Sequence, residues 1–311
     1  MLSRLFYPHI GGVEKHVYEI CKRLKAKGEK VTVITKKYNK ALRNEETIDG
    51  IKVIRFSYPE IKYLGLFYIW FWFIKNRKIF KKVDVVHCHD VFIWYLPLRI
   101  AYPKKPVYTT IHGWEGKYPI STINIYLKRL SAKLSWGVIC VGKYIKKYYG
   151  IKTDFVTYGG VRGLNIRVKL KKEKNRIVYL GRLKMDTGLL QFLKILKTNK
   201  TSEKYKVDFC GDGPMRKECE KYGKVHGLTN PHLFLKESEI CFASGYLSAF
   251  EALIFKCRLW VGWDNSLKQD YWMMSPFSKW IDSEKCQEAS SWAEYYSWNR
   301  VLDTYLKLWR K

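Results

Sequence analysis

Apolar residues along this chain recur in two rhythms, short continuous runs and longer stretches at helical spacing, and the order in which the two alternate predicts the architecture. Val13, Val17, Ile20, Cys21 and Leu24 repeat at helical spacing, with Glu14, Lys15, Lys22 and Arg23 on the other side and Gly28 ending the run. Apolar runs over 30–36, 51–56, 83–89, 106–111, 137–141 and 153–158 read as strands, with helices over 123–134 and 143–149 between them. Residues 1–6 are short for a full strand. A second alternation follows: strands over 177–180, 206–210, 233–235, 240–243 and 259–262, a helix over 188–197, and an aromatic-rich terminal helix over 292–311. Strands whose runs are continuously apolar are buried on both faces, as in parallel sheets covered by helices. Two such halves of comparable size predict an α/β protein of two doubly wound domains facing a cleft. The first domain spans 1–160 and is completed by a C-terminal helix at 293–311; Gly159-Gly160 and a charged stretch lead through a linker at 161–175 to the second domain at 176–292.

Two strand-to-helix junctions carry glycine where a helix begins. Tyr7-Pro8-His9-Ile10-Gly11-Gly12 leads into the first helix, and Ser244-Gly245-Tyr246-Leu247 follows the run 240–243 into the helix that carries Glu251. Glycine lets backbone approach an anion, and the N–H groups of a first helical turn point outward at the positive end of the helix dipole. Both junctions read as phosphate cradles or as ordinary strand–helix turns. Neither is G-x-G-x-x-G, so a dinucleotide cofactor is not indicated. His87, Cys88, His89 and Asp90 end one strand, but alternation sends the two imidazoles and the thiol to opposite faces and no second ligand group has zinc spacing. His112 ends another, ahead of a glycine-bearing loop, and is a polar contact for substrate or a structural histidine.

One stretch breaks the pattern. Residues 63–74, YLGLFYIWFWFI, are followed by Lys75, Arg77, Lys78, Lys81 and Lys82. Twelve apolar residues are too few to span a bilayer, which takes about 20. An aromatic helix with a basic flank suits a membrane interface, making Trp70, Trp72, Lys75, Arg77 and Lys78 candidate membrane contacts; the other reading is a core helix with a solvated charged end.

Composition narrows the field. Among 311 residues, 58 Lys and Arg face 28 Asp and Glu, a formal charge of +30, so the chain needs anionic company: nucleic acid, an anionic membrane, or phosphorylated substrates. The basic residues are spread along the chain rather than gathered in a nucleic-acid-binding module, so no specific nucleic acid is expected. With 47% hydrophobic residues and a mean hydropathy of -0.30, the chain is a folded, water-exposed protein. Eight cysteines lie scattered in apolar runs without C-x-x-C spacing, as in a reducing compartment, and the opening residues carry no secretory pattern. The expected location is cytoplasmic, peripheral at the membrane face.

Taken together, Tyr7-Pro8-His9-Ile10-Gly11-Gly12-Val13-Glu14, Asp84-Val85-Val86-His87-Cys88-His89, Ile111-His112-Gly113, Gly181-Arg182-Leu183, Gly211-Asp212-Gly213-Pro214, residues 244–251 and Ser297-Trp298 resemble a family 4 retaining glycosyltransferase of the GT-B fold. The resemblance runs over nearly the whole chain. It implies sugar transfer from a nucleotide-diphosphate sugar to a glycan or lipid-linked acceptor, with retention, without a metal and without a resident cofactor. It makes 1–160 the acceptor domain and 176–292 the donor domain. It further implies His112, Arg182 and Glu251 as catalytic residues, with Glu251 on the donor ribose, Arg182 and the turn at Gly245, Tyr246 and Leu247 on the diphosphate, Gly213 beside the donor, and Gly11 and Gly12 approaching from the first domain.

Four departures from the family pattern stand out. Thr187 occupies the position of a usual lysine, Ala243 that of a usual glutamate, Gly159-Gly160 that of an asparagine-glycine pair, and the first strand is cut short. They support an alternative, a catalytically impaired GT-B scaffold that binds nucleotide sugar or an anionic surface without turnover.

Overall fold

A computed structural model describes all residues except 62–63, 114–115, 164–169, 199–203 and 311. The chain forms two compact units. Unit 1 comprises Met1–Glu115, Pro119–Thr157 and Trp298–Lys311; unit 2 comprises Gly116–Tyr118 and Tyr158–Ser297. Residues 164–169 of the expected linker and Tyr63, the first residue of the aromatic stretch, lie outside the described residues.

Unit 1 is built on an eight-stranded sheet. Its strands are β1 (Leu2–Ser3), β2 (Thr32–Lys36), β3 (Glu45–Ile48), β4 (Ile51–Phe56), β5 (Val86–His89), β6 (Val107–Ile111), β7 (Gly137–Val141) and β8 (Phe155–Thr157), in the order β3-β4-β2-β1-β5-β6-β7-β8. All neighbours are parallel except β3 and β4. β1 has two residues, yet Leu2 pairs with Ile34 on one side and Cys88 on the other, so the centre of the sheet is closed. Alternation sends Val33 and Val53 to one face, against Val17 and Cys21 of the Gly12–Ala26 helix, and Ile34 and Ile54 to the other, against Ile69, Phe73, Trp94 and Leu98. Both faces are therefore covered, which is why these strands read as continuous apolar runs. The Trp298–Trp309 helix returns to the first face, where the Tyr305 hydroxyl meets His16 Nε2 at 2.9 Å and Arg23 Nε donates to Asn299 at 2.9 Å.

Unit 2 carries β9 (Glu173–Leu180), β10 (Lys206–Cys210), β11 (Lys224–Val225), β12 (Ser238–Ala243) and β13 (Arg258–Trp260) in the parallel order β11-β10-β9-β12-β13. Ile177, Tyr179, Phe209, Ile240 and Phe242 pack against Phe192 and Leu196 of the Leu189–Thr198 helix. On the other side Phe250 meets Phe277, Trp292 and Tyr296.

Two sequence expectations change. The run 233–235 is helical, within His232–Leu235, because its three apolar residues close a single turn after Pro231. The terminal helix is two, Cys286–Glu294 in unit 2 and Trp298–Trp309 in unit 1, separated where Val161 and Ser297 form a β-bridge.

Candidate functional site

The chemistry-bearing residues of unit 2 converge where β9, β10 and β12 end. Gly181 has φ 149°, and a Cβ there would lie 1.7 Å from Ser244 Oγ, so only glycine lets these two strand ends meet. Gly213, at φ 156°, similarly brings its backbone against the Leu183 carbonyl. Just beyond β12 the chain turns at Gly245 into the Tyr246–Ile254 helix, which keeps Ala249, Phe250 and Leu253 in the core. Leu247 and Glu251, four residues apart, share the outer, half-buried face.

The turn differs from a bare amide cradle. The Gly245 N–H donates to Ser248 Oγ at 3.0 Å, and the Tyr246 N–H donates to the Tyr271 hydroxyl at 2.8 Å. The Tyr246 and Tyr271 rings stack at 3.9 Å and 7°, and the Tyr246 hydroxyl donates to the Tyr271 carbonyl at 2.6 Å. Two of the three turn amides thus already hold protein oxygens.

Cations are supplied nearby. Arg182 is largely exposed, its guanidinium 3.6 Å from the Asp186 carboxylate. Lys268, on the Ser266–Met273 helix, is 4% exposed and donates to the Ser244 carbonyl at 2.9 Å, with its ammonium 4.3 Å from the Tyr271 ring centroid. Burial brings its pKa down to about 8; Asp186 opposes that shift and Arg182 adds to it. Sequence reasoning missed Lys268, since SLKQDYWM resembles any surface helix and the burial comes from tertiary neighbours. Thr187 points away from the turn, its hydroxyl meeting Tyr179 at 2.8 Å and the Lys184 carbonyl at 2.5 Å, so it serves the Met185–Thr187 turn. Ala243 is fully buried at the end of β12.

In unit 1, Gly11 caps the Gly12–Ala26 helix without a side-chain bond, and a Cβ there would lie 2.3 Å from the Glu14 carboxylate, which folds back over the turn. A Cβ at Gly12 would meet nothing within 4 Å, so the space above it is open to a ligand. His112 follows β6. Its N–H donates to the Asp90 carboxylate at 3.1 and 3.3 Å, and its Nε2 lies 3.1 Å from His89 Nδ1. Asp90 is paired with Lys128. Behind His112 runs a buried chain: His16 Nε2 to Tyr305 at 2.9 Å, Tyr305 to Thr110 at 2.8 Å, Thr110 to His87 Nε2 at 2.8 Å, and Trp309 Nε1 donating to His87 Nδ1 at 3.0 Å. Among the described residues no group of three or more His, Cys, Asp or Glu is arranged to hold a metal.

Burial, reinforced for His16, His87 and His89 by neighbouring imidazoles, pushes those three well below the usual histidine range; burial takes His112 down to about 4, against the pull of Asp90. All four are neutral in the folded protein at pH 7. The unfolded chain binds protons on them below about pH 6.5, so the stability they contribute is complete above that value and is lost as pH falls below it. Melting temperature should hold steady from pH 8 to 7 and fall between 6.5 and 5, above the carboxylate range; a flat profile there would mean that the imidazoles are not buried neutral.

The membrane-contact candidates require a correction. In the Leu64–Lys75 helix, Trp70 donates to the Ile93 carbonyl at 2.7 Å and Trp72 stacks on Phe56 at 4.6 Å, so both tryptophans lean on the core. The outward face is Leu64, Phe67, Tyr68, Phe71 and Ile74, with Phe67 61% and Phe71 66% exposed. Lys75, Arg77 and Lys78 are exposed as expected. Among the described residues no helix is long and apolar enough to cross a membrane.

Residues 10–151 match the family model described as Glycosyltransferase Family 4. Over this stretch the chain is similar to the family 4 glycosyltransferases. Over 253 residues it is 24% identical to the phosphatidylinositol N-acetylglucosaminyltransferase GPI3 subunit of Saccharomyces cerevisiae, covering 73% of this chain and 56% of the yeast protein, so it spans about half the length of that curated relative. Its fold resembles the sucrose-phosphate synthase of Thermosynechococcus elongatus, with TM-score 0.68, 12% identity, and 96% and 93% of the two chains covered. It also resembles Anabaena HepE solved with UDP and glucose, with TM-score 0.66, 12% identity, and 98% and 97% covered. The fold is GT-B-like.

Proposed function

We propose that this chain is a family 4 glycosyltransferase that moves a sugar from a nucleoside diphosphate sugar to a lipid-linked acceptor, with retention and without a metal. The observation that carries the reading is the buried Lys268 ammonium beside Arg182 at the start of the Tyr246–Ile254 helix. Breaking the donor's glycosidic bond leaves a second negative charge on the diphosphate. A guanidinium, a desolvated ammonium and the positive end of a helix lower the energy of that charge without needing a metal. Leu247 offers the diphosphate a first-turn amide, and Gly213 leaves room for backbone approach beside Leu183. Glu251, on the outer face of the same helix, accepts from the donor ribose hydroxyls. Gly11 and Gly12 form the corresponding turn in unit 1, and neutral His112 exchanges a hydrogen bond with a hydroxyl of the transferred sugar. The yeast relative's name supports phosphatidylinositol as an acceptor and N-acetylglucosamine as a sugar to test first. The exposed aromatic face of the Leu64–Lys75 helix and its basic flank support a peripheral position at a cytoplasmic membrane face.

A thermal-shift screen tests the donor half. A ligand that binds only the native state raises the melting temperature by mass action, so UDP sugars at about a hundred times their dissociation constant should add about 2.7 kcal/mol of stability. No shift with any nucleoside diphosphate sugar would overturn the reading. A shift without transfer to vesicle-borne lipid would instead mark an impaired scaffold that binds without turnover, the outcome that the departures at Thr187 and Ala243 favour.

A further inference from the structure

Unit 1 holds a second charged feature that the donor chemistry does not use. A cavity of about 590 Å³ opens at the carboxyl ends of β1, β2 and β4, and Arg4, His9, Lys36, Lys37, Lys40 and Glu60 are among its lining residues. Open parallel sheets take ligands at this end of their strands, and the volume suits a headgroup of hexose size. Register gathers the cations: the Lys36 N–H donates to the Arg4 carbonyl at 3.1 Å and the Lys37 N–H to the Phe56 carbonyl at 2.8 Å. Lys36 is held by its ion pair with Glu60 and sits 5.2 Å from the Tyr58 ring centroid, while Lys37 Nζ donates to Asn44 at 3.0 Å. Four cations thus line the cavity with one carboxylate, Glu60, which is already paired with Lys36, while the His9 imidazole lies 3.1 Å from the Glu14 carboxylate. The unmet charge is positive, and the ligand it fits is a phosphate ester.

The neighbouring surface identifies the source of that phosphate. From Glu60 the chain runs directly into the Leu64–Lys75 helix, and a Cβ on Gly65 would lie 2.5 Å from the Pro59 carbonyl, so the start of the helix is seated on the segment that borders the cavity. Its outward face carries Leu64, Phe67, Tyr68, Phe71 and Ile74, and exposed Lys75, Arg77 and Lys78 follow. Apolar side chains beside a basic cavity of headgroup size, flanked by further cations, match a lipid lying with its acyl chains against the helix and its phosphodiester in the cavity. We infer that the cavity lined by Arg4, Lys36, Lys37 and Lys40 binds the phosphodiester headgroup of an anionic membrane lipid. The inference rests on the sugar-transfer reading only in making that lipid the acceptor.

The full chain is tested with two probes, glycerophosphoinositol, a headgroup without acyl chains, and phosphatidylcholine vesicles with or without phosphatidylinositol. Arg4→Ser with Lys40→Ser changes two exposed residues, and an unchanged melting temperature verifies the fold. That variant should bind glycerophosphoinositol at least about tenfold more weakly, since each charge-assisted hydrogen bond lost costs about 1.5–3 kcal/mol, and should lose the extra pelleting that phosphatidylinositol confers. Phe67→Ser with Phe71→Ser should abolish pelleting with all vesicles while leaving glycerophosphoinositol binding intact. Equal headgroup binding by wild type and the basic-cavity variant, inorganic phosphate binding as tightly as the phosphodiester, or wild type failing to pellet would each overturn the inference. Donor binding is read separately: no UDP-sugar thermal shift in wild type would sink the transfer reading and leave the headgroup result standing.

Discussion

Replacing Lys268 by methionine is expected to weaken nucleoside diphosphate binding about tenfold or more and to slow sugar transfer about a hundredfold, while the melting temperature stays level or rises. The two halves of that result have one cause. The ammonium is 4% exposed, and burial lowers its pKa from 10.5 to about 8. The unfolded chain therefore binds more protons between pH 8 and 10.5, so stability rises with pH across that window; at pH 7 the charged form costs the folded state on the order of 3 kcal/mol. Methionine removes that cost and keeps the stem against Tyr271 and Trp272, losing in exchange the bond to the Ser244 carbonyl. A buried cation retained at such a cost is explained by an anion that uses it. In wild type, donor affinity should fall as pH rises through about 8 and the ammonium loses its proton; in the variant that dependence should vanish. Unchanged donor affinity in Lys268→Met, with the melting temperature rising, would show a lysine with no part in the site.

Lys268 also shows where sequence reading stops. The two-unit α/β plan was legible because parallel strands buried on both faces leave continuous apolar runs such as β6, β7 and β12, and the glycine turns between them are punctuated in the sequence. β3 was not legible: EETI at a sheet edge is half exposed, and its pairing with β4 arises from the turn at Asp49-Gly50 rather than from hydrophobicity. The Phe92–Ala101 helix, which holds Pro97 within it, has no counterpart in the sequence reading. The aromatic helix was found, but its inward and outward faces were assigned the wrong way round for Trp70 and Trp72, because a helix apolar all round offers no polar stripe to orient it. Gly245, Arg182 and Glu251 stand out in the sequence because their types suit a phosphate and a ribose. Lys268 and Tyr271 do not, since their roles depend on one helix packing onto the turn of another. The same holds for His16, which sits among the charged residues of the first helix in sequence and is buried against Tyr305 and Trp298 in the fold.

Changing Glu251 to alanine should lower transfer by about a hundredfold or more and weaken UDP by about a hundredfold or more, with pyrophosphate binding unaffected. The contrast between those two ligands is the informative part. Glu251 lies on the half-buried outer face of the Tyr246–Ile254 helix, one turn beyond Leu247, and the proposed function assigns its carboxylate to the donor ribose rather than to the diphosphate. A ribose offers two adjacent hydroxyls to two carboxylate oxygens, each a charge-assisted bond worth about 1.5–3 kcal/mol. Pyrophosphate has no ribose and so cannot register their loss. Alanine is a strong helix former, and the core face of this helix, Ala249, Phe250 and Leu253, is untouched by the change, so the melting temperature should hold. Glu251→Gln keeps one acceptor oxygen and should fall between wild type and alanine. If pyrophosphate weakens in parallel with UDP, the glutamate acts by positioning the turn at Gly245 and Tyr246, and the ribose contact assigned to it is wrong.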